Sequence, residues 1–327
     1  MPANRVGRLL YVVISSRIWK VSMKRILPAL MIFFFLTGCS APDAVMAFFA
    51  TQTPTPTITP TPTTTFTPSP IPTVTLTPTV TPTLRPTATV TPVFTMKGPG
   101  NIICPILLYH RIQVVPPPIP AVAVETFTAP DDFRIQMQAL RDGGYTPIPI
   151  SLLVKAIDFG APLPEKPVVI SFDDNDITVY TTAFPVMKEF GFVGVAYLVG
   201  NRLGSDGFMN IDQIKELIAA GWEVGSHSMT HADLTQSASV DWELTQSKTN
   251  LENKLGVKVD TFAYPFGNYT IDIINQVSKI YSAGLALGVF LEQGPNNIYL
   301  LWRRPVPYGV DMKTFASYLT PPATPVP

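Results

Sequence analysis

The chain has 327 residues, 35 of them proline, and its 23 basic and 23 acidic side chains cancel. Zero net charge without a basic cluster leaves no electrostatic footprint for nucleic acid, and nothing in it suggests a strongly charged substrate. With only Cys39 and Cys104, at most one disulfide can form, and the setting of each cysteine argues against pairing.

Lys24 and Arg25 precede an apolar run over residues 26–36, and Thr37-Gly38-Cys39 follows. This is the order of an export signal, with a run too short to span a bilayer comfortably. Leu36-Thr37-Gly38-Cys39 resembles a bacterial lipobox, which makes Cys39 the expected site of lipidation and the first residue of the mature chain; an uncleaved signal anchor is the alternative. Residues 1–39 are therefore read as leader. Met23 is the more natural start, because residues 1–22 add a long basic preamble that such a signal does not need. The expected location is the outer face of a bacterial membrane, with the lipid as anchor.

Residues 40–98 read as a linker, dominated from Thr51 to Val93 by Thr-Pro alternation. Proline removes backbone donors and fixes φ, so the stretch favours extended polyproline II rather than a packed fold. At about 3.1 Å per residue, this stalk reaches on the order of 100 Å, enough to carry a domain into a surrounding envelope layer. Residues 320–327 repeat the composition and read as a disordered tail.

Between them, residues 99–319 have the apolar content of one sizeable domain. Strands are predicted over residues 104–109, 168–172, 193–199, 222–225 and 261–264. Helices are predicted over 131–140, 182–190, a segment carrying Ile211, Ile214, Leu217 and Ile218 before Gly221, and one carrying Leu244, Leu251 and Leu255 before Gly256. Cys104 falls in an apolar run and reads as a buried small hydrophobe. Alternating β and α segments call for an α/β fold, a parallel sheet either open or closed into a barrel, with function at the C-terminal strand ends.

The polar residues of interest fall at those ends. Of three histidines, two are spaced His227-x3-His231, close enough to meet one metal ion; alone, the spacing is weak and is more often a chance pair. Asp173-Asp174 closes an apolar strand, where two adjacent acids are costly unless a cation offsets them. A solvated strand end or a helix cap is the plainer explanation. Together the four residues supply a three-ligand set with a position left for water.

Ser171-Phe172-Asp173-Asp174, the segment Ser226-His227-Ser228-Met229-Thr230-His231 and Phe262-Ala263-Tyr264-Pro265-Phe266-Gly267 resemble the first three motifs of the polysaccharide deacetylases, carbohydrate esterase family 4 with its NodB-homology domain. The likeness covers residues 104–307. It implies a distorted (β/α)7 barrel and a divalent metal, Zn2+ first, with Co2+, Ni2+ or Mn2+ as alternatives. It implies Asp174, His227 and His231 as metal ligands, Asp173 as general base, and the backbone N–H of Phe266 as oxyanion donor. No histidine follows His231, so the general acid falls to His110, in Leu108-Tyr109-His110-Arg111. That segment is similar to the early Tyr-His motif of the surface poly-N-acetylglucosamine deacetylase branch.

The pattern is broken at two places. Asn175-Asp176 replaces a glycine-aromatic pair, although asparagine tolerates the left-handed backbone that glycine would supply. Ala263 stands where other branches carry a base-steering arginine, leaving Arg303 or Arg304 for that job, with a surface pair as the alternative. Trp302 is a candidate for the acetyl pocket. The resemblance implies a monomer acting on acetylated polysaccharide, releasing acetate from N-acetylglucosamine units. An O-acetyl esterase of xylan type and a decayed glycan-binding envelope lipoprotein are the competing expectations.

Overall fold

Seven short strands, each fully or half buried, follow one another with helices between them: β1 (Ile106–Tyr109), β2 (Pro167–Asp173), β3 (Val195–Leu198), β4 (Glu223–Ser226), β5 (Thr261–Ala263), β6 (Ala283–Leu287) and β7 (Leu301–Pro305). The computed structural model describes residues 93–321. Every neighbouring pair is parallel, and β7 and β2 both pair with β1, which closes the sheet into a seven-stranded barrel. The open-sheet alternative is thereby removed. The leader, Cys39, residues 40–92 of the stalk and most of the tail lie outside the described residues. Among those described, no helix is long and apolar enough to cross a membrane.

The period of two along each strand sorts the side chains. Ile106, Val169, Val195, Tyr197, Ala263, Ala283, Leu285 and Leu301 form one buried cluster inside the barrel. Leu107, Tyr109, Val168, Ile170, Phe172, Ala196, Leu198, Val224, Phe262 and Ala286 belong to a second, outside it, against the helices. Tyr197 fits in the interior because its ring occupies the space where a Cβ on Gly225 would stand. Helix α3 (Ile150–Phe159) adds Ile150, Leu153, Val154, Ala156 and Ile157 to the inner cluster and so plugs the end where the strands begin. That leaves the opposite end, at the strands' C-termini, as the mouth.

The outer layer is made by α2 (Pro130–Asp142), α4 (Phe184–Glu189), α5 (Ile211–Ala219), α6 (Val240–Leu255), α7 (Ile271–Val277) and α8 (Met312–Ser317), with the short α1 (Ala121–Thr126) near the mouth. Gly256 ends α6 in the left-handed conformation that the sequence anticipates at a helix stop. Asn210 caps α5 in a reciprocal capping box with Gln213. Phe172 is stacked between Tyr109 (5.6 Å) and Trp222 (5.3 Å) and is 1% exposed. Phe172→Ala is expected to cost about 3–5 kcal/mol in chemical denaturation, from lost burial and a residual cavity.

Several elements escape the sequence reading. β6 is rich in alanine and glycine, and α1, α7 and α8 are only six or seven residues long, too short for a clear period. Helix α3 does carry one, Ile150, Leu153, Val154 and Ile157, and is missed all the same. Residues 94–96, read as linker, form a strand paired antiparallel with Pro162–Pro164; Phe94-Thr95-Met96 interrupts the proline alternation and frees backbone donors for pairing. The helix predicted over 182–190 begins instead with a π-helical turn, Val179–Ala183.

Candidate active site

β2 delivers Asp173 to the barrel interior because it shares the parity of Val169 and Ser171, and its carboxylate is 2% exposed. β7 does the same for Arg303, which follows the parity of inward Leu301 and is 1% exposed. The two meet in a bidentate pair, Nη1 to Oδ1 at 2.6 Å and Nη2 to Oδ2 at 2.9 Å. Burial pushes the Asp173 carboxyl upward, but Arg303 and His227 outweigh it and hold the group down at about 2. Asp173 is an ionised base at neutral pH. Arg303 Nε has no hydrogen-bond partner among the described residues, and the guanidinium lies 5.3 Å from the Tyr197 ring.

Arg304 has the opposite parity and lies over the Tyr318 ring, 4.4 Å away. Of the two arginines, the structure brings only Arg303 to Asp173. Trp302 likewise faces outward, where it packs on Phe290, and it does not line the cavity at the mouth. The acetyl-pocket expectation for it is corrected by strand alternation alone.

Asp174, His227 and His231 each offer a ligand atom, and these atoms lie within 4.8 Å of one another. One divalent cation binds imidazole and carboxylate at about 2.0–2.2 Å, so a modest inward rotation suffices to share it. Each donor is held from behind. His227 Nδ1 bonds the Ala263 carbonyl at 2.8 Å, which fixes the tautomer and leaves Nε2 facing Asp173 at 3.5 Å. His231 Nε2 faces Asp174 Oδ1 at 3.2 Å, and Arg202 Nη1 donates to the same oxygen at 2.8 Å. Burial and neighbouring His227 push His231 down to about 4, so its ring is neutral at pH 7 with a free lone pair. The donor set fits a divalent metal in kind, spacing and protonation.

The backbone is strained around these groups. All five non-glycine residues with positive φ in the described chain, Asp174, Asn175, Ser228, His231 and Phe266, sit at three strand exits. Such conformations cost about 1–3 kcal/mol each and persist only where neighbours over-determine them. Asn175 shows how: its side chain donates to the Val199 carbonyl at 3.0 Å and accepts from the Val199 N–H at 2.6 Å, bridging the exits of β2 and β3. It therefore supplies both the left-handed turn and a tie that glycine lacks. Asp176 does not line the cavity; it bonds Arg111, which does, at 2.9 Å and accepts from the Thr178 N–H, so its charge is paired.

His110, Asp173, Asp174, His227, His231, Phe266 and Arg303 line one cavity of about 740 Å³ at the mouth. Burial lowers the pKa of His110 against the opposing pull of Asp173 and Asp174. Phe266 is half exposed, with its ring 4.6 Å from that of His231. Sequence reading missed Arg202, on the one-turn 3-10 helix Gly200–Arg202 that has no periodicity or motif, and Glu243, whose carboxylate accepts from the backbone of Met229 and Thr230. Neither carries a signal that a single sequence would reveal.

Residues 160–282 match the family model described as polysaccharide deacetylase. The chain carries a polysaccharide deacetylase domain. A Bacillus subtilis protein named as a polysaccharide deacetylase is 27% identical over 225 residues, 66% of this chain and 75% of that protein. The poly-β-1,6-N-acetyl-D-glucosamine N-deacetylase of Staphylococcus aureus is 28% identical over 146 residues, covering 40% of this chain and 49% of its own length. Among solved structures, a protein of Bacillus anthracis named as a polysaccharide deacetylase superposes with a TM-score of 0.61 at 25% identity, over 67% of this chain and 70% of that one. The deacetylase domain thus has the (β/α)7 barrel that its sequence motifs implied, and its family is one of hydrolases.

Proposed function

We propose that the chain hydrolyses N-acetyl groups from a polymer containing N-acetylglucosamine, releasing acetate. The observation that carries this is the pairing, within one cavity, of an ionised Asp173 held by Arg303 and a three-donor set, Asp174, His227 and His231. The staphylococcal relative's activity on a poly-N-acetylglucosamine supports the choice of substrate class.

A divalent cation in the three-donor set, Zn2+ being the first choice for a His2Asp site, supplies Lewis-acid polarisation of water and of the acetamide carbonyl. Asp173 takes the proton from water as its oxygen attacks the carbonyl carbon. The backbone N–H of Phe266 donates to the oxygen that gains charge, a role indifferent to the ring beyond it. His110 hands a proton to the departing nitrogen as the C–N bond breaks, leaving acetate and a free amine. Burial lowers its pKa, which makes the imidazolium a stronger acid but reduces the fraction protonated at neutral pH.

Two results test the reading. The full chain should release acetate from chito-oligosaccharides and stop when a chelator is added; no chelator-sensitive release from any acetylated glycan would end the proposal. His110→Ala should lower kcat by about 10²–10⁴-fold. A step needing protonated His110 is lost as pH rises through that group's pKa, on the acid side of 6.5. The alkaline limb of the rate profile should vanish in the variant, and a fully active variant would reassign the acid.

The exported, lipid-anchored location also stands as part of this proposal, supported by the apolar run before Cys39 and the Thr-Pro stalk after it. A monomer suffices for the chemistry, since one barrel mouth supplies every proposed group.

A further inference from the structure

Four of the five strained residues belong to the two exits that carry the proposed ligands, and one of these exits, the turn over residues 228–231, is gripped from outside the barrel. Ser228 (φ 65°) and His231 (φ 64°) bracket it. Such a turn relaxes unless its surroundings hold it. The exit of β3 holds one side, through Gly200 N–H to the Ser228 carbonyl at 3.1 Å and Asn201 N–H to the Met229 carbonyl at 2.9 Å. On the other side stands Glu243, on the first turn of α6 and 4% exposed. Its Oε2 accepts from Met229 N–H at 2.9 Å and Thr230 N–H at 2.8 Å, and its Oε1 accepts from the Thr230 hydroxyl. A buried carboxylate is costly, and three convergent donors are what make it tolerable here.

We propose that Glu243 is the positioning residue of the ligand turn, holding residues 228–231 in the strained geometry that presents His231 Nε2 to a cation. The inference rests on the metal-dependent reading of the same site. Glu243 does not line the cavity, so any effect on cation binding must pass through the turn. Outer partners that orient ligands are worth about 10–100-fold in metal affinity.

The test measures Zn2+ affinity by competition with a chromophoric chelator, beside thermal denaturation of the metal-free chain. Glu243→Ala should bind Zn2+ about 10–100-fold more weakly. Thr230→Val, which removes one of the three donors and keeps the shape, should weaken binding several-fold and serves if the alanine variant does not fold. Tyr281→Phe is the control: the Tyr281 hydroxyl donates to the Leu244 carbonyl at 2.8 Å, so its loss loosens the same helix without touching the turn. It should lower the melting temperature and leave Zn2+ affinity unchanged. Wild-type affinity in every folded Glu243 or Thr230 variant, or an equal loss in Tyr281→Phe, overturns the inference. A wild-type chain that takes up no cation overturns the proposed function, and this inference with it.

Discussion

Asp173→Asn is expected to lower kcat by about 10²–10⁴-fold, the usual worth of a positioned general base, while the chain binds a divalent cation as well as the wild type does. The amide cannot take a proton from water, but it leaves Asp174, His227 and His231 untouched. The substitution has a second effect that must be measured beside the first. Arg303 is buried, and Asp173 is its bidentate partner, so the variant leaves a guanidinium without its counter-charge. Removing one partner of such a pair costs about 3–5 kcal/mol, an upper bound here because asparagine keeps one acceptor. Turnover, metal content and thermal unfolding on one preparation separate the two effects. An Asp173→Asn chain of wild-type activity would remove Asp173 from the mechanism.

His231→Ala should lose both activity and metal. A direct ligand is worth more than the outer-shell contacts that account for about 10–100-fold in affinity, so the loss should exceed that range. The readout need not be catalytic. A cation that binds only the folded state stabilises it, by about 2.7 kcal/mol at a hundredfold excess over Kd. Added Zn2+ should therefore raise the melting temperature of the wild type and of Asp173→Asn, and leave that of His231→Ala where it is. If Zn2+ stabilised His231→Ala as fully as the wild type, the three-donor assignment would fail.

The contrast between Arg303 and Arg304 shows where sequence reading stopped. The two are adjacent and equally basic, and Ala263 stands at the position of the arginine that one of them would replace. One residue of parity puts Arg303 inside the barrel and Arg304 on Tyr318. Parity is a property of a strand whose neighbours are known, and Leu301-Trp302-Arg303-Arg304-Pro305 does not alternate clearly enough to declare it. Trp302 misled for the same reason. Asn175 is the opposite case: its tolerance of left-handed backbone is intrinsic and readable, whereas its double bond to Val199 depends on which strand lies beside it.

The sequence alone determined what is local or compositional. The Thr-Pro stretch, the apolar strand ending in Asp173-Asp174, the His227-x3-His231 spacing and the Tyr264-Pro265-Phe266-Gly267 segment need no partner to be recognised. The last three carried the family resemblance and with it the choice of Asp173, Asp174, His227 and His231, while His110 followed from its Tyr-His segment and the lack of a later histidine. Tertiary structure decided what depends on contacts between residues far apart in the chain. It closed the sheet through the β1–β2 and β1–β7 pairings, turned Arg303 onto Asp173 across 130 positions, and set Arg202 against Asp174 and Glu243 behind the turn that carries His231. Those contacts leave no periodic trace, because a buried polar partner is specified by the geometry of the strand or helix it meets and not by its own neighbours in sequence.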